Sequence, residues 1–367
     1  MYEKYKIIIS GGGTGGHIFP AIAIANAIKE KYPKAQILFV GAEGRMEMQR
    51  VPAAGYEIKA LPIKGFNRKH IFKNINVLFH LWKSIHKART IIKEFQPQVA
   101  VGVGGYASGA TLYECSKMKI PYLLQEQNSY AGVTNKLLSK KAKKICVAYD
   151  GMERFFNNDK IILTGNPVRQ NVINTHLTKE EAIKTFDLDP NKKTILIVGG
   201  SLGAYTINKA MLENINIINN SNIQFIWQTG KYYHNDIKEA LKNKSVTNLK
   251  ILDFISDMGT AYKAADLVIS RAGASSISEF QLIGKPVILV PSPNVAEDHQ
   301  TKNAMALVNK KSALMVKDSE AQQKLIPLAI ETVQNENKIN SLSTNIKKMG
   351  IQNSANKIAD EVIKLIH

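Results

Sequence analysis

The chain has 367 residues, of which 44% are hydrophobic and 22% are charged, a composition that excludes a mainly disordered protein. Its 49 lysines and arginines against 30 aspartates and glutamates leave a net charge of +19, which predicts an acidic partner: nucleic acid, anionic lipid or a phosphorylated substrate. The first residues lack the pattern of a signal peptide, and no apolar run approaches the ~18 residues of a membrane span. The chain has two cysteines, Cys115 and Cys146, which predict neither a disulfide framework nor a zinc site.

In the first half of the chain, short apolar runs alternate with amphipathic stretches. The first run, YKIIIS, predicts a strand, and the segment 20–31 predicts a helix with Pro20 in its first turn. Further strands are predicted at 35–40, 99–103, 122–125 and 145–148. Strands that alternate with helical segments in this way are typical of a parallel, doubly wound α/β sheet.

The same pattern starts again near residue 194. The two starts, IIISGGGTGG and ILIVGGSLGA, both lead from an apolar strand through glycines into a turn of small residues. We therefore expect two similar α/β domains, over 1–163 and 164–345, that face each other across a cleft. The segment 346–367 predicts a helix that packs back on the body. Strands of the second half are predicted at 194–198, 223–228, 250–254, 267–270 and 287–290.

Glycine-rich turns follow several of these strands. The first, SGGGTGGHIFP at residues 10–20, matches a dinucleotide fingerprint (Gly11-x-Gly13-x-x-Gly16). The second strand, however, ends without the acidic residue of that fingerprint, which disfavours a nicotinamide or flavin cofactor. Backbone N–H groups and helix N-termini at such turns favour an anion, and we expect them to hold a diphosphate. Similar turns occur at 104–105, 201–203 and 273–276.

His17 follows the first glycine turn directly and opens the predicted helix. A neutral imidazole there could take a proton from an attacking hydroxyl, and a structural role is the alternative. No metal site is predicted, because the eight histidines show no ligand spacing. The pair Asp187 and Asp189 lies in a turn before a strand, at the opposite end from the expected site.

One segment, from about residue 63 to 92, mixes basic and large apolar residues. It contains Lys64, Lys69, Lys73, Lys83 and Lys87 among phenylalanine, isoleucine, leucine and tryptophan. This mixture favours a membrane surface over a DNA groove, and an ordinary solvated face is the alternative. A second basic run lies at 136–144.

Seven motifs together resemble the MurG family of N-acetylglucosaminyltransferases, from about residue 5 to beyond residue 310. In chain order they are SGGGTGGHIFPAIAIA, VGVGGYASG, EQNSYAGVTNKLL, TGNPVR, GGSLGA, SRAGASSISEF and EDHQTKNA. The resemblance implies a GT-B fold, two Rossmann-like domains with the active site between them. It implies transfer of N-acetylglucosamine from UDP-N-acetylglucosamine to the 4-hydroxyl of the muramoyl sugar of lipid I, with inversion to a β-1,4 link. It further implies no cofactor, and a peripheral enzyme on the cytoplasmic face of the membrane, where the segment 63–92 would contact anionic lipid or lipid I.

The resemblance also implies the residues that bind the donor. Asn128 and Gln300 would contact the sugar, although His299 stands where many relatives have glutamine. The backbone of Ile255 would meet uracil, and Glu279 would accept from the ribose hydroxyls. His17 would be the catalytic base, with Tyr106 and Glu126 as the next candidates. The remaining contacts would be Thr14, Gly15 and Gly16 along the cleft, Arg169 and Ser201 at the diphosphate, and Ala274, Ser275, Ser276, Ile277 and Ser278 at a helix N-terminus near phosphate.

Two other functions compete with this one. Another GT-B enzyme of nucleotide sugars, such as a glycolipid synthase or an epimerase, would share the glycine turns. A nucleic-acid binder is suggested by charge alone, but the sequence shows no base-stacking motif and the glycine turns would have no role. We therefore expect no nucleic-acid partner.

Overall fold

The computed structural model describes residues 5–65, 74–168, 170–173 and 175–366. The chain divides into two compact units: unit 1 comprises 1–168 and 351–367, and unit 2 comprises 169–350. It leaves unit 1 after Val168, a few residues beyond the boundary predicted at 163, and returns at Ile351.

Unit 1 is built on a parallel sheet of seven strands. Their order across the sheet is 3-2-1-4-5-6-7 by chain number. In chain order they are β1 (Lys6–Ser10), β2 (Gln36–Ala42), β3 (Glu57–Leu61), β4 (Val99–Gly102), β5 (Tyr122–Glu126), β6 (Lys144–Val147) and β7 (Ile161–Leu163).

Helices cover both faces of this sheet, which explains why the interior strand β1 has three consecutive isoleucines. Ile7 and Ile9 of β1 pack in one core cluster, and Ile8 points into another on the opposite face. All three side chains are fully buried. The helices are α1 (Gly15–Lys31), α2 (Glu47–Ala53), α3 (Asn74–Phe95), α4 (Tyr106–Lys117) and α5 (Val133–Leu138).

The start of α1 differs from the prediction. The helix begins at Gly15 rather than near Pro20, so the expectation that Pro20 lies in the first turn is wrong. A proline inside a helix removes one N–H donor, here the one that would reach the Gly16 carbonyl, and the rest of the helix tolerates this loss. The first turn of α1 is therefore formed by Gly15, Gly16 and His17 themselves.

Unit 2 repeats the architecture with a parallel sheet of six strands in the order 10-9-8-11-12-13. Its strands are β8 (Lys193–Val198), β9 (Ile223–Gln228), β10 (Leu249–Leu252), β11 (Leu267–Ser270), β12 (Val287–Leu289) and β13 (Leu314–Met315). Its helices are α6 (Gln170–Ile173), α7 (Lys179–Lys184), α8 (Tyr205–Glu213), α9 (Ile215–Asn220), α10 (His234–Leu241), α11 (Met258–Ala264), α12 (Ala274–Ile283), α13 (His299–Val308), α14 (Ala321–Gln334) and α15 (Glu336–Lys348).

The last helix, α16 (Ser354–Lys364), packs against α1 in unit 1. Its buried face includes Ile358 and Val362, which join the core cluster of Ile7 and Ile9. A salt bridge of 2.5 Å joins Lys31 at the end of α1 to Asp360.

Both cysteines are free and buried in unit 1. Burial raises the pKa of Cys115 and of Cys146 to about 12, since a thiolate loses its hydration in an apolar core. Both thiols are therefore protonated near neutral pH, and neither forms a disulfide.

Candidate active site

Each unit places two glycine turns next to each other at the carboxyl edge of its sheet. In unit 1 the turns 11–16 and 104–105 follow β1 and β4, and in unit 2 the turns 199–203 and 273–276 follow β8 and β11. The strands of each pair are neighbours, and the winding direction reverses between them. Ligands of doubly wound sheets bind at such switch points.

The His17 ring is held by the first glycine turn. Its Nδ1 lies 3.0 Å from the Gly12 carbonyl oxygen and 3.3 Å from the Thr14 hydroxyl. Because a carbonyl can only accept, Nδ1 carries the proton, and in the neutral ring Nε2 carries the lone pair. A side chain at Gly104 would put its Cβ 3.0 Å from this Nε2, and Gly104 has a φ of +97°, so the second turn needs glycine beside the ring.

A buried carboxylate that no sequence pattern indicates supports the same turn. Glu47, the first residue of α2, accepts from the Gly13 N–H through Oε2 and from the Ala42 N–H through Oε1, each at 3.0 Å. Its side chain is 1% exposed. No regular spacing links Glu47 to the glycines in the sequence, so only the folded chain reveals the contact.

Asn128 lies at the carboxyl end of β5, and Glu126 orders it. Glu126 accepts from the backbone and side chain of Asn128 through Oε1, and from Gly132 and Asn135 through Oε2, at distances of 2.9–3.3 Å. This carboxylate is 1% exposed and directed into its own loop. The arrangement suits a structural anchor better than a base, while Tyr106 at the start of α4 is exposed.

Unit 2 contains a cavity of about 530 Å³ at its switch point. Of the residues predicted to bind the donor, Ser276 and Gln300 line it. Ser201 is exposed on its turn, and Arg169 lies outside the described residues. The other walls come from the two glycine turns and from the segment after β12, including Gly199, Gly200, Gly203, Arg271, Gly273 and Ser292.

The Gln300 side chain has a fixed orientation. Its Oε1 accepts from the Ala272 N–H at 3.2 Å and from the Ser292 N–H at 2.8 Å. An amide held by its oxygen in this way must direct its NH₂ elsewhere. Any bond from this amide to a ligand in the cavity would therefore use the NH₂ as donor.

The N-terminus of α12 has features of an anion site. No side chain caps the helix at Gly273, and the buried Ser275 Oγ has no hydrogen-bond partner in the part of the chain that the structure describes. Ala274 and Ser278 bond to each other, the hydroxyl donating to the carbonyl at 3.0 Å. The Ile277 side chain is fully buried in the unit, so only its backbone could meet a ligand.

Glu279 and Ile255 are each engaged by a neighbour. The Tyr262 hydroxyl donates to Glu279 Oε2 at 2.9 Å, and Glu279 is 5% exposed. The Ile255 N–H donates to Gln228 Oε1 at 2.9 Å, while Gln228 Nε2 donates to the Gly200 carbonyl at 3.0 Å. The Ile255 carbonyl is accordingly the group that could accept from a base. Neither residue lines the cavity.

Comparison with known proteins adds the family. Residues 7–147 match the glycosyltransferase family 28 N-terminal domain, and residues 194–362 match the family's C-terminal domain. A Phocaeicola vulgatus protein named UDP-N-acetylglucosamine–N-acetylmuramyl-(pentapeptide) pyrophosphoryl-undecaprenol N-acetylglucosamine transferase is 66% identical over 100% of this chain and 97% of its own length. The chain belongs to the MurG family. A Flavobacterium psychrophilum member of the same name is 52% identical, over 99% of this chain and 98% of its own length.

A solved MurG structure has the same architecture. The Acinetobacter baumannii MurG matches 99% of this chain and 100% of its own length, with a TM-score of 0.77 and 25% identity. A UDP-GlcNAc 2-epimerase from Neisseria meningitidis, 16% identical, covers 99% of this chain and 100% of its own length with a TM-score of 0.69, which shows a shared fold alone. The prediction of a GT-B fold with two Rossmann-like, doubly wound domains is confirmed.

In this member of the MurG family, an ion pair that no sequence pattern indicates borders the cavity. Arg271, directly after β11, pairs with Asp318, which also accepts from Thr206 Oγ1 at 2.9 Å. Arg271 also donates to the carbonyls of Val290 and Pro291 at 3.1 and 3.3 Å. These contacts join the start of α8 to the ends of β11 and β12 and so hold the two glycine turns of unit 2 at their spacing.

Helix α3 carries an exposed surface of apolar and basic residues, here called the α3 surface: Leu78, Phe79, Trp82, Lys83 and Lys87. The three apolar side chains are 57–58% exposed, whereas Ala88 and Ile91 on the opposite face are buried. Lys69 and Lys73, predicted in the same segment, lie outside the described residues. Of the helices in the described ranges, none combines the length and apolar character needed to cross a bilayer.

Asp187 and Asp189 lie before β8, as expected, at the edge opposite the cavity. Asp187 is paired with Lys250 at 2.5 Å. Among the described residues, no group of three or more histidine, cysteine, aspartate or glutamate side chains could hold a metal ion.

Proposed function

We propose that this chain transfers N-acetylglucosamine from UDP-N-acetylglucosamine to the 4-hydroxyl of the muramoyl sugar of lipid I, with inversion to a β-1,4 link. The observation that carries this proposal is the 66% identity, over the whole chain, to a protein named for that transfer. The cavity of unit 2, with an uncapped helix N-terminus in its wall, and the held ring of His17 in unit 1 support it.

The donor would bind in unit 2. Its diphosphate would accept from the N–H groups at the start of α12, beside Ser276 in the cavity wall, since an uncapped helix N-terminus attracts negative charge. The Gln300 amide would donate to a sugar hydroxyl, and the Ile255 carbonyl would accept from uracil N3–H. Glu279 would accept from the ribose, and Arg169 and Ser201 would hold the diphosphate.

His17 would be the base. As the acceptor oxygen bonds to the anomeric carbon, Nε2 takes its proton, the bond from that carbon to the diphosphate oxygen breaks, and UDP leaves with the electron pair. Attack from the face opposite UDP inverts the anomeric centre. Helix N-termini and Arg169 would stabilise the charge that grows on the departing UDP. Thr14, Gly15, Gly16 and Asn128 would contact the donor from unit 1.

The proposal predicts that UDP release from UDP-N-acetylglucosamine depends on lipid I. A coupled assay of the purified full chain should show release with both substrates and only slow hydrolysis with the donor alone. An epimerase would instead convert the donor without acceptor, and a glycolipid synthase would need a different acceptor. Either result would reject the transfer to lipid I.

We further propose that the α3 surface binds anionic lipid, which would place the enzyme peripherally on the cytoplasmic face of the membrane. Exposed apolar side chains flanked by lysines match an interfacial helix, whose rings enter the headgroup region while the cations meet acidic headgroups. We expect no nucleic-acid partner, because the sequence shows no base-stacking motif and the glycine turns would have no role in one.

Replacing Lys83 and Lys87 by glutamine should weaken binding to vesicles containing phosphatidylglycerol by about 30-fold, given ~1 kcal/mol for each lysine near an anionic surface. Co-sedimentation would measure this. The matched control replaces Lys242 and Lys244 of unit 2 by glutamine, which removes the same charge at a different surface. Equal binding by the two double variants would reject the α3 surface as the lipid-binding face.

A further inference from the structure

Glu47 is a buried carboxylate whose role the proposed reaction does not explain. Its side chain is 1% exposed, and in the described part of the chain no lysine, arginine or histidine forms an ion pair with it. Both oxygens instead accept backbone N–H groups, from Gly13 and from Ala42. A buried carboxylate needs hydrogen-bond donors for its oxygens, and here one donor belongs to the glycine turn that also holds His17.

The contact to Gly13 reaches His17 through a single peptide unit. The N–H of Gly13 and the carbonyl of Gly12 belong to the same planar peptide group. The N–H donates to Glu47 at 3.0 Å, and the carbonyl accepts from His17 Nδ1 at 3.0 Å. A carboxylate on the N–H end polarises the group and makes the carbonyl a stronger acceptor, because hydrogen bonds in a chain reinforce one another.

The Glu47 carboxylate packs closely against this turn. A Cβ on Gly12 would lie 2.0 Å from Glu47 Oε1, so the carboxylate sits directly against the backbone. The second bond, to Ala42 at the end of β2, fixes the carboxylate relative to the sheet. Rotation of the Gly12–Gly13 peptide would break the bonds to Glu47 and to His17 together.

We propose that Glu47 is the positioning residue of His17 and acts through the Gly12–Gly13 peptide. The carboxylate orients the peptide, the Gly12 carbonyl holds the proton on Nδ1, and Nε2 is thereby kept as the basic nitrogen. A carboxylate that orients a catalytic histidine directly is common, and here one peptide group lies between them. This inference rests on the proposed role of His17 as base.

The test compares Glu47→Gln with Glu114→Gln. Glutamine offers one acceptor oxygen, so its NH₂ must face either Gly13 or Ala42, and in both orientations the peptide loses its carboxylate acceptor. Glu114 is a matched control, since it is 3% exposed on α4 and lies 4.0 Å from Lys117. Nitrogen-15 NMR of the His17 ring reports the tautomer, and steady-state assays with UDP-N-acetylglucosamine and saturating lipid I report kcat and KM.

We expect the wild-type chain and Glu114→Gln to show the Nδ1–H tautomer. Glu47→Gln should show a mixture of tautomers and a kcat about 10–100-fold lower, with the KM for UDP-N-acetylglucosamine nearly unchanged. An Nε2–H tautomer in the wild-type chain would overturn the proposal even if the variant failed to fold. A Glu47→Gln variant with wild-type tautomer or wild-type kcat would overturn it as well.

Failure of the proposed function can be distinguished from failure of the proposal for Glu47, because the two give different combinations of kinetic and NMR results. If His17→Ala retains its kcat, His17 is not the base, yet the tautomer in Glu47→Gln still shows whether Glu47 orients the ring. If lipid I does not stimulate UDP release, the substrate assignment fails and the NMR result stands unaffected.

Discussion

His17→Ala should lower kcat by about 10²–10⁴-fold with both substrates saturating, the usual contribution of a general base. The physical reason is the orientation of the ring, whose Nδ1 proton is held by the Gly12 carbonyl so that Nε2 carries the lone pair. Without the ring, the acceptor hydroxyl must lose its proton to water, which is a weaker base. Steady-state kinetics with UDP-N-acetylglucosamine and lipid I would measure the change.

The control is His176→Ala, which removes an exposed histidine of unit 2. It should behave as the wild-type chain. Affinity for UDP, measured by calorimetry, should remain nearly the same in His17→Ala, because UDP would bind in unit 2. A wild-type kcat in His17→Ala would show that His17 is not the base, and Tyr106 would be the next candidate.

Gln300→Glu should raise the KM for UDP-N-acetylglucosamine by about 10–100-fold, equivalent to ~1.5–3 kcal/mol for a hydrogen bond that involves a charged group. The glutamate oxygens can still accept from Ala272 and Ser292, so the local fold is retained. The NH₂ that would donate to the sugar, however, becomes a carboxylate oxygen that repels a sugar hydroxyl's lone pairs and the nearby diphosphate.

Gln300→Ala separates this effect from stability. Alanine leaves the N–H groups of Ala272 and Ser292 without their acceptor, so this variant should melt at a lower temperature than Gln300→Glu. Calorimetry should also show a larger loss of affinity for UDP-N-acetylglucosamine than for UDP in Gln300→Glu. Equal affinity of Gln300→Glu and the wild-type chain for the donor would show that Gln300 does not contact it.

The strands illustrate how far local sequence predicts this fold. Each strand predicted from an apolar run is present, with ends shifted by at most two residues. The strands that were not predicted all lie at sheet edges. In β3 the exposed residues Glu57 and Lys59 alternate with less exposed ones, and β7 and β13 have only three and two residues. Edge strands face solvent on one side and need no continuous apolar run, so the pattern used for central strands does not detect them.

The predicted site residues differ in how much the sequence could say about them. His17 was marked by its place after a glycine turn, and Gln300 by a family motif. Local sequence did not single out Glu47, Gln228 or Asp318, because their contacts with Gly13, Ile255 and Arg271 span 34, 27 and 47 positions of the chain. Contacts over such distances depend on the order of the strands, which no local pattern contains.

The sequence by itself determined the two glycine-rich α/β halves, the excess of positive charge and the family, because β-branched runs, glycine turns and motif order are properties of neighbouring residues. The tertiary structure alone decided which nitrogen of His17 is held by the Gly12 carbonyl and which atom of the Gln300 amide is held by the backbone. Each of these depends on a hydrogen bond to a backbone group, and the direction of that bond exists only after the turns of adjacent strands have come together.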